Sequence, residues 1–142
     1  MAKTNIGSND QQIRDLIAEQ HRAICRKDVS AIVSHYSEDA VVFNVKPPYQ
    51  IRDRRDWRRV WETSLSHFPA SFGAETRDVT IAVAGDLATV HFFFRFTGLP
   101  GSQPWIRNTI AYQKQRGEWK IVHEHSSVPF DPETSKAVFE FE

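Results

Sequence analysis

The chain has 142 residues, balances 18 basic against 18 acidic side chains, and carries one cysteine. That length suits a single domain around one sizeable core, and the balanced charge gives no electrostatic footing for nucleic acid or an anionic membrane. Lone Cys25 excludes an intrachain disulfide and a metal-binding cysteine pair. The first ten residues, MAKTNIGSND, lack the apolar stretch of a signal peptide. No window approaches the roughly 20 apolar residues of a membrane span, so a cytoplasmic protein is expected.

Residues 1–9 read as a flexible tail. Asp10 then caps a helix whose apolar positions Ile13, Leu16, Ile17, Ala23 and Ile24 follow a 3.6-residue spacing. That helix is expected to end near Lys27 and Asp28, with Arg26 and Lys27 matching the negative end of its dipole. A short second helix spans residues 30–36, with Ile32, Val33 and Tyr36 on one side, and a strand follows over residues 40–45. Pro47 and Pro48 break the chain, leaving a loop and a short edge strand around Tyr49 and Ile51. A third helix over residues 53–68 places Trp57, Val60, Trp61, Ser64 and Leu65 in one stripe, capped by Asp53 or Asp56. Arg54, Arg55, Arg58 and Arg59 fall mainly on its other, solvated face.

From Arg77 onward the pattern is β. Residues 79–84 form a strand, Gly85 and Asp86 a tight turn, and residues 87–97 (LATVHFFFRFT) a long strand with both faces substantially apolar. One face is expected to meet the helices. The other, carrying Phe92, Phe94 and Phe96, is expected to meet a second subunit, because large exposed apolar patches are rare on monomers. Residues 105–130 (WIRNTIAYQKQRGEWKIVHEHSSVPF) form a hairpin that stops at Pro129, and residues 131–142 form a tail. A two-residue Arg116-Gly117 turn pairs Asn108 with His125, and a three-residue loop pairs Asn108 with Glu124. The second is preferred, since arginine is unfavourable in the left-handed region.

Helices first and strands after is an α+β order. The expected architecture is a cone-shaped, curved antiparallel sheet with two to three helices on its concave face. Residues 10–130 make its single domain.

Three stretches carry a resemblance: Lys27-Asp28 between the first helices, SEDAVV leading into the first strand, and GEWKIVHEHSSVP at the end. The chain resembles the SnoaL-like branch of the NTF2-like superfamily over residues 10–130. That group includes ketosteroid isomerases, polyketide cyclases and the calcium/calmodulin-dependent kinase association domain. The resemblance implies an NTF2-like (cystatin-like) roll, a homodimer, and a small-molecule pocket inside the cone. It implies no cofactor, nucleic acid or membrane partner.

Isomerase chemistry needs a carboxylate base and an oxyanion hole of a tyrosine and a neutral acid. By resemblance the base position falls at Asn44, the helix tyrosine at Gln20, and the acid near Thr109 or Ala111. None has the required chemistry. Of the association domain's pocket arginines, Arg95 alone has a match, the others falling at Ile110 and Ser126. Arg95 and Glu124 are a candidate buried pair. The expected pocket residues are Asn44, Trp57, Trp61 and Arg95, with Asn108, Glu124 and Ser126 facing inward by resemblance. His123 and His125 share a strand face and are expected to point outward as structural residues. With His91 they could in principle make a three-histidine metal site, and no metal is expected. The function expected is a SnoaL-like protein that binds or transforms a small, largely apolar molecule. The alternative is a non-catalytic dimerisation module with a vestigial pocket.

Overall fold

The computed structural model describes residues 5–141, with side chains from residue 9 onward. Helix α1 (Asn5–Cys25) begins upstream of Asp10, so most of the expected tail that is described is helical. Residues 1–4 lie outside the described residues. Lys27 takes a left-handed φ of 58° and turns the chain out of α1. Its ammonium donates to the Phe68 carbonyl at 2.8 Å, tying this corner to the end of the third helix.

Two aspartates start the next helices as N-caps, each accepting a hydrogen bond from a backbone N–H that the helix leaves unpaired. Asp28 accepts from Ala31 at the head of α2 (Val29–Ser34) at 3.1 Å. Asp53 accepts from Arg55 at the head of α3 (Arg54–Ser66) at 2.7 Å. The arginines of α3 form exposed pairs, such as Arg59 with Asp56 at 2.7 Å and Arg55 with Asp53 at 3.0 Å.

The strands are β1 (Tyr36–Phe43), β2 (Gln50–Ile51), β3 (Gly73–Ala84), β4 (Leu87–Thr97), β5 (Ile106–Gln115) and β6 (Glu118–Ser127). They form one six-stranded sheet in the order β2-β1-β6-β5-β4-β3. The fold is α+β as expected, with one difference: β1 runs parallel to β6 while the other pairs are antiparallel. A small hairpin of β7 (Phe130–Asp131) and β8 (Lys136–Ala137) lies beyond.

Three strand details depart from expectation. Tyr36 opens β1 instead of closing α2. Strand β3 starts six residues earlier than expected, at Gly73. As the sheet's edge it pairs only with β4, and a bulge at Asp78 (φ 58°) breaks its alternation. The β5–β6 turn is the two-residue form, with Arg116 at φ 52° and Gly117 at φ 82°. The matching twist of such a turn outweighs the left-handed cost at an exposed arginine. A register shift next to Ala111 then pairs Asn108 with Ser126 and Thr109 with His125, which neither turn alone gives.

The core lies between the three helices and the inner face of the sheet. Ile13, Ile17 and Ile24 of α1, Ile32 of α2 and Trp57 and Leu65 of α3 pack on Val90, Phe92, Phe94, Ile110 and Ile121. Phe92 and Phe94 are buried against the helices, with His21 of α1 touching both rings, and Phe96 packs on Phe68 and Phe72. The dimer face expected from these phenylalanines is therefore corrected: the even positions of β4 face inward. Among the described residues, no helix is long and apolar enough to cross a membrane.

Candidate functional site

Strand alternation places one carboxyl group in the middle of the inner face. The cross-sheet row through it reads Ile51, Val42, Glu124, Ile110, Val90 and Ile81. Glu124 is 8% exposed and its neighbours in that row are aliphatic. Burial raises its pKa, and hydrogen bonds from Tyr36 and Asn108 only partly oppose that shift. No arginine or lysine pairs with it in the described structure.

The Tyr36 hydroxyl donates to Glu124 Oε1 at 2.5 Å. Gln20 of α1 reaches down to the same hydroxyl, Nε2 to Oη at 3.4 Å. The Trp57 ring stands edge-on to Tyr36 at 6.1 Å, and Trp61 to Trp57 at 5.6 Å. On the next strand Asn108 is buried, and its Oδ1 accepts from the Ser126 hydroxyl at 2.9 Å. Tyr112 completes the group, its phenol held well above the ordinary range by burial and the nearby Glu124. Three buried polar atoms of this cluster have no hydrogen-bond partner, Gln20 Oε1, Trp61 Nε1 and the Tyr112 hydroxyl, while Trp57 Nε1 is directed at the Tyr36 hydroxyl outside good hydrogen-bond geometry. Buried polar atoms are rarely left so.

Of the expected pocket residues, Trp57, Trp61, Asn108, Glu124 and Ser126 come together here. Asn44 lies past the end of β1, its N–H bonded to the Tyr49 carbonyl at 2.9 Å. Arg95 does not belong to the site. It sits on the opposite sheet face, bonded to Glu75 at 2.7 Å and Glu140 at 3.3 Å, so it neither lines the cone nor neutralises Glu124. The reason is parity: its β4 neighbours Phe94 and Phe92 point inward.

The histidines are dispersed. His123 Nδ1 contacts the Val41 carbonyl at 2.7 Å, and Phe43 packs edge-on to His123 and His125 at 4.9 and 5.5 Å. No group of three or more His, Cys, Asp or Glu among the described residues is placed to hold a metal ion. Tyr36, Gln20 and Tyr112 were not expected in the site as hydrogen-bonding groups. Gln20 carried the available signal, being a polar residue on the apolar side of α1. The hydrogen-bonded tyrosine and acid lie on β1 and β6, away from Gln20 and β5, where the isomerase resemblance implies them.

Grooves open on the surface of the described residues away from Trp57, Trp61, Asn108 and Glu124. One of these, between α1 and β3, is bordered by Ile17, His21, Cys25, Ala74 and Thr76. Another, at the start of β1, is bordered by Tyr36, Asp39, Arg54 and Lys120.

The model of the SnoaL-like domain matches residues 13–131, and the chain belongs to that family. An NTF2-like protein of unknown function from Pseudomonas putida is 30% identical, with a TM-score of 0.89 over 96% of this chain and 97% of that one. The association domain of C. elegans CaMKII superposes with a TM-score of 0.73 at 16% identity, over 87% of this chain and 98% of that one. A candidate scytalone dehydratase from Novosphingobium aromaticivorans gives 0.76 at 13% identity, over 100% of both chains. These last two likenesses show a common fold. No functionally curated protein matches the chain.

Proposed function

We propose that this SnoaL-like protein binds a small, largely apolar, uncharged molecule against the Glu124 cluster and transfers a proton to or from it through Glu124. The observation that carries this reading is a buried carboxyl without a cation partner, hydrogen-bonded to a tyrosine and ringed by unpartnered polar atoms. A charged ligand would have no counter-charge there and would bear its full desolvation cost. An uncharged one with an acceptor oxygen would satisfy the indole and phenol donors, leaving the Gln20 oxygen for a hydroxyl. A carboxylic acid kept neutral at pH 7 acts as a hydrogen-bond donor and general acid, which suits isomerase-, cyclase- or hydratase-type proton transfer. Trp57 and Trp61 form the apolar wall, and Asn108 and Ser126 flank the acid.

The cluster is closed to solvent, so a ligand must displace side chains, and its arrival is expected to change tryptophan fluorescence. A thermal-shift screen of small neutral ketones, enones and phenols should give hits, since a ligand stabilises by mass action. Glu124→Leu, which removes both the acid proton and the acceptor oxygen, should weaken those hits about tenfold, the loss of one buried hydrogen-bonding group. Hits confined to charged compounds, or unchanged by Glu124→Leu, would overturn the reading.

The assembly reading is favoured by the outer sheet face. The rows Ala82-Thr89-Ala111-His123-Val41 and Thr80-His91-Thr109-His125-Phe43 carry no Lys, Arg, Asp or Glu. A second copy could meet this surface without burying an unpaired charge. The homodimer proposed on this basis predicts a dimer in sedimentation at micromolar concentration, and a monomer there would sink it.

A further inference from the structure

The outer face holds a second recognisable surface, away from the uncharged rows. The Arg77 guanidinium lies 4.7 Å from the Phe93 ring centre and 4.6 Å from that of Trp105. The Arg95 guanidinium stacks on the same indole at 4.2 Å. Glu75, directly across the β3–β4 ladder, fixes Arg95 through Nε at 2.9 Å and Nη2 at 2.7 Å. Arg77 Nε is buried without an acceptor in hydrogen-bond geometry, the Asp78 carboxylate standing 3.5 Å away. Two cations, two aromatic rings and an unsatisfied buried donor thus share one small surface.

The chain's own end already rests on it. Trp105 N–H donates to the Phe139 carbonyl at 3.1 Å, and Arg95 Nη1 donates to Glu140 Oε2 at 3.3 Å. The Phe141 ring lies against Phe93 at 5.5 Å. These are one backbone bond, one charge pair and one ring contact, made by an aromatic-acid-aromatic sequence. The lead-in is exposed throughout residues 132–137 and is held by its own β7–β8 hairpin and by the Val138 N–H, which donates to the Pro129 carbonyl at 2.8 Å. A segment with so little buried surface opens at small free-energy cost.

We propose that this arginine–aromatic surface is a docking site for an extended peptide segment that alternates aromatic and acidic residues. Residues 139–141 are its resident occupant in cis, and an incoming segment of the same chemistry displaces them. Guanidinium stacking on aromatic faces rewards aromatic side chains, and charge-assisted hydrogen bonds reward a carboxylate between them.

The test uses the full-length chain with Phe139→Ser and Phe141→Ser, which disable the resident segment outside the core. A fluorescein-labelled AVFEFE peptide is titrated in and read by anisotropy. A tethered occupant competes at millimolar effective concentration, so the disabled variant is expected to bind about tenfold tighter than the wild type. Adding Arg95→Gln should weaken binding about tenfold, as loss of a charge-assisted pair predicts, and a Glu140→Lys peptide should bind no better than a scrambled one. The proposal is overturned if the peptide fails to bind the disabled variant or binds indifferently to Arg95→Gln. It is equally overturned if sedimentation shows the variant self-associating through this surface and the peptide cannot displace the second copy.

Discussion

Glu124→Gln is expected to stabilise the protein at pH 7–8 while removing the group through which proton transfer is proposed. The carboxyl is buried among Val42, Ile110 and Val90, and desolvation raises its folded pKa above the ordinary 4.5. As pH rises, the unfolded chain releases this proton first. The stability that the neutral acid contributes is therefore fully present below about 4.5 and is lost as pH climbs through the folded value. Glutamine keeps the shape and an oxygen to accept from Tyr36 but has no proton to lose. Its advantage at neutral pH should be roughly 1–3 kcal/mol, the scale on which a buried polar group left short of partners destabilises. Urea denaturation of both proteins between pH 4 and 8 checks this: the curves should converge in acid and separate as pH rises. Parallel curves would show that Glu124 titrates normally.

His21→Leu is expected to flatten the acid limb of the stability profile. His21 sits between α1 and the sheet, its ring 4.9 Å from Phe94 and 5.8 Å from Phe92. Arg14, Arg22, Cys25 and Thr76 share its groove, and none of these gives the imidazolium a negative partner. Burial lowers its pKa from 6.5 to about 4. The stability this confers is present above 6.5 and lost as pH falls through about 4, which makes the loss at most about 3 kcal/mol at ~1.4 kcal/mol per pKa unit. His35 is shifted down in the same way by burial and keeps a smaller slope in the variant. The acid and the histidine thus oppose each other across pH 4–7, and the two variants separate them. A wild-type slope unchanged by His21→Leu would mean that the imidazole protonates in place.

Much of the fold was legible because its elements repeat simple periods. The stripe Trp57, Val60, Trp61, Ser64 and Leu65 defined α3, and its Asp53 cap is present. Strand β4 shows where periodicity stops. With Phe at 92, 93, 94 and 96 both faces look buried, and nothing in the strand says which one meets the helices. The structure turns Phe92 and Phe94 inward, and Phe93 is covered by Arg77 and Phe141 of the same chain. That parity also carried Arg95 out of the cone.

The site was less legible, because its central bond joins residues 88 apart in sequence. Tyr36 continued the apolar side of α2 as well as it opens β1, so its hydroxyl drew no attention. Glu124, Asn108 and Ser126 were placed inward by resemblance, whereas spacing alone left the register open. The shift beside Ala111 that sets Asn108 against Ser126 has no local marker in either strand.

The raised pKa of Glu124 is observed directly by carboxyl carbon NMR. In protein labelled with 13C at the glutamate carboxyl, the resonance that Glu124→Gln removes can be followed from pH 3 to 9. Its midpoint is expected above the ordinary glutamate value, because burial raises the pKa. A resonance already ionised at pH 5, with its midpoint at or below 4.5, would contradict it.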